Sequence, residues 1–348
     1  EVMSLQQRLT ALAQAVGGDV KSLLAAQGSL QALTTSAKSN LVAAVNELKS
    51  AVDAAGGGAS DELLHGPAIV SQKLLEGPVA FNNWIAVPGN LVIFRQLLDS
   101  LAGLAYLVNN SAAMQSLAGN ATAMGEVAAS ASAMGAMAAS QTSMNALVAH
   151  ATARTAVASS AVAVAALAAS PVAMHTLVNN QPMLSALVSS AHWGLFKAST
   201  VLPVFGGSLA MVADAAPGFA TTSASSVYAK GFEAFRAFDG VAASRWAAAG
   251  VAASGAWLRV SFVQPRFVHT LRVVPNANDV YTAWRLDYSD DAANWSPAYS
   301  AASYTAQAGV ATTHPVAVAG RHQHWRFFVV TSSTGFAATR ELELDGWL

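Results

Sequence analysis

Cysteine is absent from this chain of 348 residues, and charge is scarce. Without thiols there is no disulfide, no thiolate metal site and no cysteine nucleophile. Charged residues make up 11%, and 18 Lys and Arg nearly balance 19 Asp and Glu, for a net charge of -1. A nucleic-acid partner calls for a basic face, and none is predicted. Long apolar runs are missing too. The chain is 53% hydrophobic with a mean hydropathy of +0.40, but much of that is alanine. In the Ala-rich region Ser, Thr, Asn, Gln or Gly interrupts every few residues, so no clean run of about 18 apolar residues forms and no membrane insertion is expected. The opening EVMSLQQRL lacks a basic stretch followed by an apolar one, so no secretory leader is expected in it.

What is present is pattern. Leu5, Leu9, Leu12 and Val16 are spaced four, three, four, and Leu41, Val45, Leu48 and Val52 repeat that spacing. Such a stripe must meet another helix. No globular sequence lies nearby to receive it, which predicts a self-associating coiled coil over 1–55. An amphipathic helix packed on its own domain is the alternative. GGGAS (56–60) is a flexible joint, and LLHGP (63–67) and LLEGP (74–78) end in turn-forming Gly-Pro pairs. Residues 56–90 therefore read as a connector.

From Leu91 to Ser190 the chain divides into ten consecutive tens. The fourth position reads Phe94, Leu104, Met114, Met124, Met134, Met144, Arg154, Val164, Met174 and Leu184. The seventh is always aliphatic or Met, the eighth is Leu, Val or Ala, and the tenth is Ser or Asn except at His150. Positions four, seven and eight make one helical face. A single helix cannot keep that face in line, because three turns in ten residues would need about 3.3 residues per turn. Pro171 and Pro182 follow Ser170 and Asn180 within two residues, where a first helical turn tolerates proline. Ser and Asn are favoured N-caps. Each ten is thus predicted to be a separate short helix capped by the preceding tenth residue. Helices that short need neighbours, which predicts a stacked shaft. Arg154 replaces an apolar residue, and reads as a side chain snorkelling to water or touching a partner.

Beyond about residue 200 the texture changes. WLRVSF (257–262), HTLRVVP (269–275), AWRLDYS (283–289), HWRFFVV (324–330) and RELEL (340–344) alternate, and turn clusters separate them. That predicts an all-β sandwich. Trp246, Trp257, Trp284 and Trp325 are expected in its core. His322 and His324 share a strand face, as a metal pair would, but a strand inside the sandwich is a poor place for one. No phosphate loop and no placed acid pair argue for catalysis, so no enzyme is expected.

Three stretches resemble known families. In 33–53, LTTSAKSNLVAAVNELKSAVD, the residues Leu33, Thr35, Lys38, Asn40, Leu41, Val42, Ala44, Val45, Asn46 and Glu47 follow a segment common in phage tail fibre and tail-associated proteins. There it sits in a trimeric coiled coil, which implies a homotrimer. The tens are similar to Ala-Met decapeptide repeats of some phage tail proteins. AFRAFDG (234–240), SRW (244–246), WLRVSF, WRLDYSDDAANW (284–295) and RELELDG (340–346) resemble, in order, the F5/8 type C or discoidin-like domain over Ser223–Trp347.

The last resemblance implies an eight-stranded jelly roll whose loops at one end bind glycans, lipids or proteins. Many members hold a structural calcium, and Asp239, Ser244 and Glu341 occupy its ligand positions; Val241 stands where the family often has Asn or Asp. The galactose-binding version carries His and Arg where this chain has Ala247 and Asn276. Near that loop end Asn276, Asn278, Asp279, Tyr281 and Phe336 offer amides, a carboxylate and aromatic faces to a sugar. Their alternative reading is as solvated loop residues.

The chain is therefore expected to be multi-domain: a coiled-coil trimerisation region (1–55), a connector (56–90), ten decapeptide helical repeats forming a shaft (91–190), a linker (191–222) and a discoidin-like jelly-roll sandwich (223–348). The expected function is a virion tail fibre component, located in the phage tail, that displays its sandwich to bacterial surface glycan for host attachment. The alternative is a structural tail or baseplate protein whose sandwich docks to other tail proteins.

Overall fold

The computed structural model describes residues 69–348, apart from 216–217, 250–253, 277–280, 306 and 333–335. The expected coiled coil lies outside the described residues. Val70–Leu348 form one compact unit.

Residues 69–75 are helical, and α1 (Pro78–Ile85) and α2 (Pro88–Leu98) follow with Phe81, Trp84, Ile85, Ile93 and Phe94 buried. The reading of 56–90 as a connector is corrected over these residues. The Gly-Pro pair at 77–78 does not end the order but starts a helix, because Pro78 sits in a first turn that needs no N–H. The next helices recur at ten-residue intervals: α3 (Leu101–Asn109), α4 (Ser111–Ala118), α5 (Ala121–Ala129), α6 (Ala131–Ala138), α7 (Gln141–Ala149), α8 (Ala151–Ala158), α9 (Ala161–Ala168), α10 (Pro171–Leu177) and α11 (Gln181–Val188). Side-chain oxygens of Ser100, Asn110, Asn120, Ser130, Ser140, Ser160, Ser170 and Asn180 accept the third N–H of the helix each begins. Each such cap is worth about 1 kcal/mol. His150 makes no cap bond; its Nε2 lies 2.6 Å from Gln115 Oε1 instead.

Successive helices bend sharply, by 98° between α8 and α9. Each packs on the third helix along the chain, as α5 does on α8 and α6 on α9. Three helices thus complete one turn of a stack. Hydroxyls of the capping serines tie the turns together. Ser140 Oγ donates to Val108 O at 2.6 Å, Ser160 Oγ to Ala128 O at 2.5 Å, and Ser170 Oγ to Ala138 O at 2.6 Å. Serine fits because one hydroxyl both accepts from its own helix and donates to the turn before. The methionines Met114, Met124, Met134, Met144 and Met174 are fully buried, and so is position three, from Ala113 to Met183. That position lies outside the predicted stripe. A helix with neighbours on both the previous and the next turn buries more than one narrow face. Arg154 is half-buried and donates to Val148 O at 2.7 Å, so it closes a helix end beside it. Among the described residues, no single helix is long and apolar enough to cross a membrane.

An antiparallel β-sandwich follows, built from β1 (Val204–Phe205), β2 (Ala220–Ala224), β3 (Trp246–Ala247), β4 (Trp257–Pro275), β5 (Tyr281–Ser289), β6 (Ser296–Ala301), β7 (Thr312–Pro315), β8 (His322–Ser332) and β9 (Ala338–Trp347). The 19-residue β4 serves both sheets. Its first part lies between β2 and β8, and β8 continues to β5 and β6. Its second part lies between β7 and β9, and β9 also pairs with β1 and β3. Trp246, Trp284, Trp325, Phe262 and Phe327 fill the space between the sheets. Trp257 departs from expectation: it is half-buried, with Arg259 5.7 Å from its ring.

The expected linker over 191–222 is also corrected. Helix α12 (Trp193–Lys197) and the chain after it weld stack to sandwich. Trp193 and Phe196 are buried, Phe196 meets Trp347 edge-on at 5.4 Å, and Trp347 Nε1 donates to Ser199 O at 3.1 Å. Gly320 N donates to Val178 O at 2.8 Å, and Ala319 N to Gln181 Oε1 at 2.8 Å. Leu209 and Met211 belong to the sandwich core itself. Three buried aromatic rings, Trp193, Phe196 and Trp347, thus fill the junction with apolar contact.

Candidate functional site

The sandwich has a cavity of about 220 Å³ lined by Tyr228, Phe232, Arg245, Ala247, Ala248 and Phe336. Three segments build it. β3 is held to β9 by the register Trp246↔Thr339 and Ala247↔Ala338, and Ala248 N donates to Ala337 O at 2.9 Å. The loop before β3 is tied on by Tyr228 N, which donates to Ala247 O at 2.9 Å. Phe336, on the connection between β8 and β9, is pinned where Ser332 Oγ donates to its carbonyl at 2.6 Å. Strand alternation does the rest. Trp246 points into the core, fully buried, with Nε1 donating to Ser226 O at 3.1 Å. Arg245 and Ala247, on either side, face the cavity. Tyr228 and Phe232 meet edge-on at 5.8 Å, and the Arg245 guanidinium stands 4.8 Å from the Phe232 ring. Tyr228 is 59% exposed and Phe336 37% exposed, so both offer aromatic surface to a ligand.

Among the described residues, Phe336 is the predicted ligand residue that lines this cavity. Tyr281 is corrected to a core residue. It is fully buried, stacks on Tyr304 at 5.7 Å and meets Phe327 edge-on at 5.2 Å. Burial pushes its hydroxyl far above the usual phenol range. Asn276 is likewise buried, and its Oδ1 accepts from Arg340 Nε at 3.4 Å, so it braces β9 from inside. Asn278 and Asp279 lie outside the described residues. Tyr228, Phe232 and Arg245 were not predicted. The signal for Arg245 was available: with Trp246 turned inward, both neighbours must turn outward.

Asp239, Ser244 and Glu341 are brought together. Ser244 Oγ lies 2.7 and 2.8 Å from the Asp239 carboxylate oxygens, 2.9 Å from Val241 O and 3.1 Å from Arg236 O. One hydroxyl proton cannot serve four acceptors; Asp239 Oδ1 also accepts from Val241 N at 2.8 Å and Val241 O from Ser244 N at 2.9 Å, which leaves lone pairs on Asp239 Oδ2 and Arg236 O least used. Gly240 N donates to Glu341 at 3.2 Å. Burial, with Asp239 and Glu343 adding like charge, pushes the Glu341 carboxyl up to about 7. A crowd of oxygens that includes two carboxylates and two backbone carbonyls suits a hard cation such as calcium. At Val241 it is the backbone carbonyl that faces this cluster, 2.9 Å from Ser244 Oγ. Elsewhere, His322 faces Asp290 and His324 faces Ser261. Among the described residues no group of three or more His, Cys, Asp or Glu is placed to hold a metal.

Residues 221–342 match the family model of the F5/8 type C domain, which assigns the C-terminal sandwich to that type. No curated protein matches the chain. Among solved structures, chitosan-binding module 1 from a chitosanase/glucanase of Paenibacillus sp. IK-5 is 24% identical, with a TM-score of 0.33, over 36% of this chain and 94% of that one. The family 32 CBM from C. perfringens NanJ, solved with galactose, is 18% identical, with a TM-score of 0.33, over 36% of this chain and 93% of that one.

Proposed function

We propose that this protein is a phage tail fibre component whose C-terminal sandwich binds a glycan of the host cell surface in the cavity between Tyr228, Arg245 and Phe336. The observation that carries the glycan reading is the cavity itself: exposed aromatic faces and a fixed cation, walled by alanines, on an F5/8 type C domain. Sugars present apolar ring faces and hydroxyls, which such a mixture matches. The virion reading is supported by the resemblances over 33–53 and over the tens. In this reading residues 1–55 trimerise the chain. Three sites on one body raise overall avidity well above that of one site. The junction through Trp193, Phe196 and Trp347 would hold each sandwich at a set angle to its stack. A calcium held by Asp239, Ser244 and Glu341, with the carbonyls of Arg236 and Val241, would brace the loop beside β9.

The test is binding of the labelled full chain to intact bacterial cells before and after their surface polysaccharide is stripped. Binding should vanish on stripping. It should fall about tenfold in Tyr228→Ala and Phe336→Ala, the usual size for an aromatic anchor, and stay unchanged in Tyr281→Phe. Binding that survives stripping would transfer the sandwich to docking on another tail or baseplate protein.

A further inference from the structure

Resting on the glycan reading, we infer that the sugar taken by this cavity is acidic, carrying a carboxylate that Arg245 receives. The Arg245 Nε is buried and has no hydrogen-bond acceptor among the described residues. A charged donor left in that state is costly, which marks it as waiting for a partner. Most other arginines of the sandwich are satisfied; Arg266 also lacks an ion pair among the described residues, but it lies between the Phe205 and Phe262 rings and not in the cavity. Arg285 and Arg326 share Asp287, Arg236 pairs with Glu233, Arg272 pairs with Glu343, and Arg259 donates to Ser223. Arg245 has no ion pair among the described residues, and its one cation-to-ring contact there is with Phe232. Its backbone is fixed between β3 and the preceding loop, and its guanidinium lies against Phe232.

Firm placement matters, because a guanidinium already ordered loses little entropy when it pairs with a planar carboxylate. The cavity of about 220 Å³ is smaller than a drug-sized site of roughly 300–1,000 Å³. It suits one sugar ring, with Ala247 and Ala248 leaving the space and Tyr228 and Phe336 flanking it. The ring's apolar face would rest on the aromatics while its carboxylate meets Arg245. The same chemistry would repel an amino sugar carrying a positive charge.

The experiment measures binding of the full chain to oligosaccharides of matched length: oligogalacturonate and alginate oligomers, their methyl esters, a sulfated oligosaccharide, and neutral galactan. The acids should bind, and esterification should weaken them by about thirtyfold or more, the effect of removing one member of a desolvated charge pair. Arg245→Gln should cause the same loss for the acids and leave the weak binding of the esters unchanged. Arg245→Lys, which keeps the charge but loses the stacked Nε, should fall between them. Sulfated ligands binding as well as carboxylated ones, with the same Arg245 dependence, would overturn the carboxylate assignment in favour of any anion. Equal binding of acids, esters and galactan, unchanged in Arg245→Gln, would overturn the acidic inference and leave the glycan reading standing. No binding to any glycan, with unchanged folding by circular dichroism, would overturn both.

Discussion

Replacing Ser160 by alanine tests what holds the stack together. The Ser160 hydroxyl accepts Ala163 N at 3.2 Å and donates to Ala128 O at 2.5 Å on the turn below. Losing the cap costs about 1 kcal/mol. The Ala128 carbonyl then loses its donor beside a residue that is 2% exposed, which adds about 1–3 kcal/mol. The expected total is about 2–4 kcal/mol. Ser159→Ala is the reference: that hydroxyl is exposed and bonds only Thr155 O of its own helix, so the change should stay within about 0.5 kcal/mol. Ser140→Ala should cost less than Ser160→Ala. Val108 O also receives Ser143 Oγ at 2.8 Å, so it keeps a donor and only the cap is lost, at about 1 kcal/mol. The assay is urea unfolding of the full chain followed by far-ultraviolet circular dichroism at fixed concentration. If Ser160→Ala matched Ser159→Ala, the serine ladder would not be what joins the turns. If Ser140→Ala and Ser160→Ala were equal, the reasoning about the shared acceptor would be refuted.

Acid should loosen the junction between stack and sandwich. Burial, and next the charge of Lys197, depress His269 to about 3, and its ring lies 4.5 Å from that of Trp347. The unfolded chain takes up this proton near pH 6.5 and the folded chain does not, so stability is complete above about 6.5 and falls as pH drops toward 3. The slope is about 1.4 kcal/mol per pH unit, or about 2 kcal/mol between pH 6.5 and 5. His269→Gln should flatten that slope in urea titrations, and an unaltered slope would count against it. Millimolar calcium should raise the melting temperature of the full chain, with about 2.7 kcal/mol gained at a hundredfold excess over the dissociation constant. Glu341→Gln should abolish the gain; no calcium response in the parent protein would remove the ion from the Asp239 cluster.

The sequence by itself determined the local units. A ten-residue period that no α-helix can hold, prolines after Ser170 and Asn180, and a Ser or Asn at each boundary specify short capped helices, because helix pitch, caps and proline act over a few residues. Alternation in 257–262 and 283–289 specified strands for the same reason, and the order of landmarks placed Asp239, Ser244 and Glu341 together. Tertiary structure alone decided the remainder. Position three of each ten is buried because helices thirty residues apart close over it. Tyr281 is core rather than ligand because pairing with β8 sets which way β5 begins its pleat. Trp193 and Phe196 read as linker residues until Trp347 arrives from the far end of the chain. Arg245 gains its meaning from Phe232, which the loop before β3 folds against it, and from Phe336, which the pairing of β3 with β9 brings near. Periodicity records what a residue's near neighbours require. Pockets and junctions form between segments distant in sequence, and their geometry is set by how the packed elements meet.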